Sequence, residues 1–402
     1  MIPRARRLAV PLTGALLAAG VVGATPAASS AASPAVSSAA SLTASSAATR
    51  TASAVAAARA TPGDVTAKAA PQTPAEAVAF WSPQRLRAAR DYTEELGNSV
   101  KGFGGAGDAI PDGKAGTVPP TGAGKGAAGG SNKISKQVNL PPTVGRVFFT
   151  LPGRNPLDPK SWKYCSGASV QGHYRNVVAT AGHCVYDPVT NQFYDNWVFV
   201  PSYWDGDQAW EGKAPYGIYP AKWFQAHDDF VVREDFDYDY AFVNVSSGFK
   251  LTPEKDGGVT RYVRTPVGRL GDNVGGQGFT WNRSTKVKVF AFGYPAGPHR
   301  DGDRPFTGRT MKWCYGQTAP MPAAPKHDIQ EHIGFTCGMT SGASGGPWLM
   351  GYKSATRTGY LNGISSVAWD SDGNDRYDRI SSPYFNGETY DVYKVAANRW
   401  TQ

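Results

Sequence analysis

From Val144 onward, the chain is a series of short apolar runs separated by clusters of Gly, Pro, Asn and Asp. The runs are GRVFFTL, NVVATAG, NWVFVPSYW, DYAFVNV, KVKVFAFGYP and TGYLNGISSVAW. They are rich in β-branched and aromatic residues, and no helical pattern alternates with them. The segment is therefore predicted to be all-β, either a sandwich or a pair of barrels.

The last segment of the chain has a different pattern. Apolar residues there recur at helical spacing, at Tyr390, Val392, Tyr393, Val395 and Ala396. This spacing predicts a C-terminal helix over about 388–400 that packs one face on the β-rich body.

The N-terminus has the pattern of an export signal. Arg4, Arg6 and Arg7 precede the apolar run 8–24, which is shorter than a membrane span and ends in small residues. Residues 1–27 are therefore predicted to be a signal peptide, which makes the protein a secreted, extracellular one.

Residues 28–143 are rich in Ala, Ser, Thr, Gly and Pro and poor in large apolar residues. Such a composition cannot offset the entropy of ordering, so most of this leader is expected to be disordered. One short helical piece is predicted near 75–97, with Pro83 able to start a second helix. The leader is either a pro-segment whose helical piece docks on the body, or an exported linker without that role.

The formal charge of +9 is concentrated in the leader. Residues 1–143 hold 14 basic and 7 acidic residues, and residues 144–402 hold 27 and 25, which leaves +2 on the body. A strongly basic face cannot be built from that balance, so nucleic acid is not an expected partner. No apolar run beyond the signal is long enough to span a membrane, so no membrane partner is expected either.

All four cysteines, Cys165, Cys184, Cys314 and Cys337, follow the leader. An even number in an exported chain predicts disulfides, and pairing neighbours in sequence would close separations of 19 and 23 residues. No CxxC or HxxxH spacing accompanies them, so no metal site is predicted.

Candidate chemistry centres on Ser344 in SGASGGPWL. A serine between glycines is common in turns, and it becomes a nucleophile only beside a base that a third group orients. Of the six histidines, His183 in VVATAGHCV follows a β-rich run, and Cys184 can tie its turn to Cys165. A fixed imidazole of this kind suits general-base catalysis.

The orienting carboxylate is sought in the acidic run HDDFVVREDFDYDYAFVNV. Asp239 directly precedes the apolar YAFVNV, so a strand entering the core would carry its carboxylate inward. Asp237, two residues earlier and on the same face of a strand, is the closest rival.

TAGHC around His183, DYAF at Asp239 and GASGGP around Ser344, in that order, resemble the trypsin-like (chymotrypsin-fold) serine peptidases. YCSGASV, FGYPAG and CGMTSGASGGPWL are similar to the bacterial V8-like, or glutamyl-endopeptidase-like, branch and its secreted actinobacterial members. The resemblance covers about residues 144–400. It implies two antiparallel β-barrels, about 144–250 and about 260–387, within a peptidase domain over 144–402.

The resemblance also implies roles for individual residues. Ser344 would be the nucleophile, His183 the general base and then acid, and Asp239 the orienting carboxylate. The N–H groups of Gly342 and Ser344 would form the oxyanion hole, and Ser366 would support the aspartate and line the cleft. The implied enzyme is a serine endopeptidase made as a zymogen, which needs no cofactor, acts on protein and peptide substrates, binds its own pro-segment and is a monomer.

Several positions depart from the family pattern. Ala343 stands where trypsin-type zymogens carry the Asp that receives a new N-terminus, so that route of activation is absent. The substrate-binding positions Gly338, Met339 and Ser365 lack the charge, the Thr and the His that would select basic or acidic side chains. The primary specificity therefore stays open.

Two other functions fit parts of this sequence. GASGG also fits the GxSxG elbow of α/β-hydrolases, but that fold places its histidine after the serine, and no histidine follows Ser344. The alternative from another class is a catalytically silent binding protein with a protease fold.

Overall fold

The apolar runs after Val144 form β-strands, as their composition predicts. The computed structural model describes residues 64–92, 99–101, 104–122, 138–204 and 214–401. The predicted signal peptide lies outside these residues. Within the described ranges, no helix is long and apolar enough to cross a membrane.

The leader contributes β1 (Val65–Ala69), α1 (Pro74–Phe80), α2 (Pro83–Ala88), β2 (Arg90–Asp91), β3 (Ser99–Lys101) and β4 (Gly116–Val118). The next strands are β5 (Val144–Thr150), β6 (Trp162–Val170), β7 (Val177–Thr180), β8 (Tyr186–Asp187), β9 (Gln192–Phe193), β10 (Asp195–Pro201), β11 (Tyr219–His227), β12 (Ala241–Val245), β13 (Gly248–Asp256) and β14 (Val259–Gly268). They are followed by β15 (Gly278–Trp281), β16 (Lys288–Gly293), β17 (Lys312–Gln317), β18 (Ala319–Pro320), β19 (His332–Thr336), β20 (Pro347–Lys353), β21 (Thr358–Ile364), β22 (Val367–Asp370) and β23 (Arg379–Pro383). The remaining α-helices are α3 (Asp228–Arg233), α4 (Leu270–Val274) and α5 (Gly387–Ala397), and short 3₁₀ helices cover Pro159–Ser161, Gly182–Cys184, Phe236–Tyr238 and Pro325–His327.

Six strands close into an antiparallel barrel in the order β5, β6, β7, β12, β11 and β10, with β10 paired back to β5. Strand β5 is buried at every position. The leader contributes to this burial, because its Trp81 and Tyr92 rings lie 5.5 Å from Phe148 and Phe149 respectively. A strand covered on both faces lacks the alternation of apolar and polar residues, which explains the consecutive apolar residues Val147, Phe148 and Phe149.

The second half of the body consists of two further sheets. One has the order β17-β16-β20-β21-β15-β4 and the other β18-β19-β23-β22-β3. Residues of both sheets share an apolar core, in which the ring of Phe335 meets that of Trp348 edge-on at 4.9 Å. The disulfide Cys314–Cys337 joins the two sheets, and Cys165–Cys184 joins β6 to the turn after β7. Both disulfides formed by pairing neighbours in sequence are confirmed.

The predicted all-β class of the body is confirmed. The predicted C-terminal helix is also confirmed, as α5. The helix begins after Asn386, whose side chain forms a capping box with Thr389. The ring of Tyr393 lies 5.4 Å from Phe242 in the barrel and 4.2 Å from Phe279 in the second half. The helix therefore packs against both halves of the body.

The leader carries four strands in addition to α1 and α2, which lie in the region where one or two short helices are expected. Its strands β1, β2, β3 and β4 pair with β11, β6, β22 and β15 respectively. Between its two helices, the Trp81 side chain is buried and its Nε1 donates to the carbonyl of Asn196 at 2.6 Å. The described parts of the leader are thus bound along both halves of the body.

Candidate active site

His183 lies on a turn that is fixed from several directions. Strand β7 ends in the 3₁₀ helix Gly182–Cys184, and the disulfide to Cys165 anchors this turn to β6. The Tyr194 hydroxyl donates to the carbonyl of His183 at 3.1 Å, and the Trp197 indole donates to the carbonyl of Cys184 at 3.0 Å. The imidazole is therefore held in a buried, defined position.

Asp239 is the carboxylate that contacts this histidine. It follows the 3₁₀ helix Phe236–Tyr238 and is fully buried just before β12. Its Oδ1 accepts the backbone N–H of His183, and its Oδ2 lies 2.8 Å from Nδ1 of the same residue. The Ser366 hydroxyl donates to Oδ2 at 2.5 Å. This arrangement assigns the proton of the neutral imidazole to Nδ1 and leaves a lone pair on Nε2.

Nε2 of His183 is buried and has no hydrogen-bond partner among the described residues. Nε2 of His227 and Nε2 of His327 are also buried without a partner among the described residues. His183 is distinguished by the fully buried Asp239 carboxylate on its Nδ1, which leaves Nε2 able to accept a proton as a general base must. Nδ1 of His183 is thus bound to Asp239, while Nε2 can accept a proton, as proton abstraction requires.

Ser344 is attached to the same elements as the histidine and the aspartate. Its carbonyl accepts the N–H of Ser166, which directly follows Cys165, at 2.7 Å. The next N–H, that of Gly345, donates at 2.8 Å to the carbonyl of Ser365, the neighbour of the serine that binds Asp239. The structure thus joins the segments of Ser344, His183 and Asp239 through β6 and the turn before β22.

Gly342 has a conformation that suits an oxyanion hole. Its φ is +92°, and a Cβ there would lie 2.7 Å from the Tyr294 carbonyl oxygen and 2.9 Å from the Tyr164 hydroxyl. Its carbonyl accepts the Ser166 hydroxyl at 2.9 Å, which fixes the direction of this peptide group. Glycine is required at this position, because a side chain would be strained by φ and would clash with backbone.

The resemblance assigns the Gly342 N–H to an oxyanion hole. On that assignment, Gly342→Ala is expected to lower kcat/KM for peptide hydrolysis by about 100-fold, because the shifted N–H would no longer reach the oxyanion. We expect the free energy of unfolding to fall by about 1–3 kcal/mol. The matched control is Gly373→Ala, since Gly373 also has a positive φ (+74°) but nothing within 4 Å of an added Cβ. Peptide hydrolysis and urea unfolding of both variants provide the measurement. Equal kcat/KM values for the two variants would show that the Gly342 N–H does not take part in catalysis.

A cavity of about 290 Å³ opens beside Ser344. Its lining includes Met339, Ser365 and Ser366, as well as apolar residues of β22 and β23. Gly338 lines a neighbouring cavity of about 410 Å³ with Met339 and is not among the residues that line the first. The described residues around the Ser344 cavity include no carboxylate, whereas His299 and Arg300 contribute to its lining.

The nitrogen and sulfur atoms of Cys165, His183 and Cys184 lie within 4.8 Å of one another. This cluster does not fit a metal ion, because the two sulfurs are bonded to each other and cannot act as thiolate ligands.

Two residues that organise this site could not be predicted from the sequence. Ser166 accepts the Tyr294 N–H at 2.9 Å and donates to Gly342, but a small residue in a strand gives no sequence signal. His332 is fully buried between Ser381 and the Phe236 carbonyl, with both nitrogens 2.8 Å from these oxygens. It therefore holds the turn that carries Asp239 against the second half.

Burial lowers the pKa of His332 from 6.5 to about 4. The folded state holds His332 neutral, whereas the unfolded state protonates it below pH 6.5. The contribution of His332 to the free energy of unfolding is therefore complete above pH 6.5 and is lost as the pH falls towards 4. We expect the free energy of unfolding to fall by about 3 kcal/mol over this range from His332 alone. Urea unfolding across pH 4–7 should show a shallower dependence in His332→Asn. An identical slope in that variant would contradict the assignment.

No family model matches this chain, and no curated protein is similar to it. Among solved structures, the protease Anisep from Arthrobacter nicotinovorans is similar at 29% identity and a TM-score of 0.48, over 65% of this chain and 97% of that one. The thermostable serine protease AL20 from an extremophilic microorganism has 26% identity and a TM-score of 0.48, over 64% and 97%. A Glu endopeptidase in complex with MPD has 16% identity and a TM-score of 0.43, over 66% and 96%.

Proposed function

We propose that this chain is a secreted serine endopeptidase that hydrolyses peptide bonds through an acyl-enzyme on Ser344. The observation that carries the proposal is the buried pair of His183 and Asp239, in which Asp239 holds Nδ1 while Nε2 has no partner among the described residues. Such a pair serves to move a proton to and from Nε2. The serine on the connected turn is the group that would supply that proton.

In the first half of the reaction, Ser344 Oγ attacks the carbonyl carbon of the peptide bond while His183 Nε2 takes the hydroxyl proton. The N–H groups of Gly342 and Ser344 stabilise the negative oxygen of the tetrahedral intermediate. The C–N bond then breaks, and His183 returns its proton to the leaving amine. Asp239 stabilises the imidazolium that exists between these two transfers.

In the second half, a water molecule attacks the acyl-enzyme and gives its proton to the same Nε2. The ester bond to Ser344 breaks, the proton returns to Oγ, and the carboxylic acid product leaves. The extracellular location and the monomeric state belong to the same proposal. The two disulfides support the extracellular location. The identity of the preferred side chain is not part of it.

The reaction class is tested by incubating the full chain with a denatured protein in H₂¹⁸O. Hydrolysis creates new α-amines and places ¹⁸O in the new carboxyl groups, both of which mass spectrometry detects. Neither product should form with Ser344→Ala. A chain that yields neither product, and whose Ser344 a small fluorophosphonate does not label, would instead be a silent binding protein with a protease fold.

A further inference from the structure

A strand of the leader lies beside the candidate active site. Strand β3 pairs in parallel with β22, and Ser99, Val100 and Lys101 face Ala368, Trp369 and Asp370 in register. Strand β22 begins directly after Ser366, the serine that donates to Asp239. Ser99 also lines the cavity that contains Ser344. The leader therefore reaches the same cavity that a substrate side chain would enter.

Side chains of the second half hold β3 in place. Lys101 Nζ lies 2.7 Å from Asp375, and Arg300 contacts both Asp375 and the Ser99 hydroxyl at 3.5 Å. The other edge of β22 is paired with β23. An extended peptide binds a sheet by adding to a free strand edge. Strand β3 pairs with the edge of β22 that is not paired with β23.

A second leader strand lies on the opposite flank of the site. Strand β2 pairs in parallel with β6, and Asp91 faces Tyr164, the residue before Cys165. The Asp91 carboxylate accepts the hydroxyl of Ser341 at 2.5 Å, three residues before Ser344. Strand β2 therefore contacts the segment that carries the candidate nucleophile.

The surroundings of Asp91 are complementary in charge. Asp91 lines a cavity of about 710 Å³ whose body residues include four cations, Arg146, Lys163, Arg304 and Arg309. Two of them, Arg146 and Lys163, are almost fully buried. Arg87 and Arg90 of the leader line the same cavity, so Asp91 is the one carboxylate among the described lining residues, whose other charged groups are all positive.

The direction of the leader across the site differs from that of a productive substrate. His183 must protonate the leaving amine, and the disulfide 165–184 fixes this histidine to β6. The C-terminal half of a substrate, which carries that amine, therefore lies towards β6, and its N-terminal half lies along β22. The leader places its earlier strand β2 on β6 and its later strand β3 on β22, which is the reverse order.

We propose that β2 and β3 are a built-in inhibitor that occupies the substrate-binding edges of β6 and β22 in reverse direction. The inhibitor blocks access of peptide substrates and does not present a scissile bond correctly to Ser344. This inference rests on the proposed endopeptidase function. It makes release of β2 and β3 from the body the activating step, in a chain where Ala343 cannot form the ion pair with a new N-terminus.

The test weakens each strand in the full chain. The double variant Ser99→Pro, Val100→Pro weakens β3, because it removes two adjacent N–H groups, one of which faces β22. The variant Asp91→Arg weakens the binding of β2, because it places a cation among the four basic residues of the body. Both variants should raise kcat/KM on an extended fluorogenic peptide by about tenfold or more, since a larger fraction of molecules has a free edge. Intact mass confirms that the leader is uncut.

The matched control is Ala67→Pro with Lys68→Pro, which introduces the same defect in leader strand β1 on β11. This control should leave kcat/KM near the wild-type value, and an increase equal to that of the β3 variant would overturn the assignment of the block to β2 and β3. Unchanged rates in both the β3 and the Asp91 variants would also overturn it. A small fluorophosphonate separates the two proposals, because labelling of Ser344 in any form shows that the nucleophile is active. Absence of both labelling and hydrolysis in every form would mean that the proposed function itself fails.

Discussion

Replacing Ser344 with alanine is expected to lower kcat by about 10⁶-fold, because no other group can form the acyl-enzyme. The rate that remains would come from the oxyanion hole and from substrate binding. The measurement uses the chain that also carries Ser99→Pro and Val100→Pro, so that the parent rate is as high as possible.

The matched control for this prediction is Ser365→Ala. Ser365 lines the same cavity, and its hydroxyl accepts the Trp348 indole N–H at 3.1 Å. Loss of that hydrogen bond should cost stability and change kcat by less than about tenfold. If Ser344→Ala kept more than a tenth of the parent activity, the hydrolysis would have to come from another nucleophile.

Asp239→Asn is expected to lower kcat by about 10⁴-fold while the fold is retained. The amide no longer fixes the proton of His183 on Nδ1, nor does it stabilise the imidazolium. Asp239 contacts the ring and the backbone N–H of His183 and accepts from Ser366, so its charge has no substitute among the described contacts. Steady-state kinetics of the purified variant, with circular dichroism to verify the fold, provide the measurement.

Asp237→Asn is the control, and it should retain most of the activity. Burial raises the pKa of Asp237 to about 8, despite the opposing hydrogen bond from the Glu331 N–H. Its carboxyl group accepts the N–H groups of Gln330 and Glu331, and a neutral amide can still accept them. If Asp237→Asn were the more damaging of the two changes, the assignment of the carboxylate would be wrong.

Much of the fold could be predicted because apolar runs, turn residues and cysteines give local signals. The all-β body and the helix α5 follow from periodicity, and the two disulfides follow from the order of the cysteines. Asp239 and Asp237 stand two residues apart in one acidic run, and only the structure shows which one His183 contacts.

The arrangement of the leader could not be predicted from its residues. Strand β3 has three residues, too few to show a period, and it pairs with a strand far away in sequence. Strand β2 has two residues, and its Asp91 is meaningful only beside cations contributed by other segments. Both segments are extended because they pair with strand edges of the body, β6 and β22. The local sequence of the leader does not indicate which edges of the body are available for pairing.

The proposed function depends on the activation of the Ser344 nucleophile by His183. It is tested most directly by treating the full chain and its Ser99→Pro, Val100→Pro form with a fluorophosphonate, followed by intact mass and peptide mapping. We expect one adduct, on Ser344, which is absent in Ser344→Ala and strongly reduced in His183→Ala. No adduct on protein with both disulfides intact, or equal labelling without His183, would contradict it.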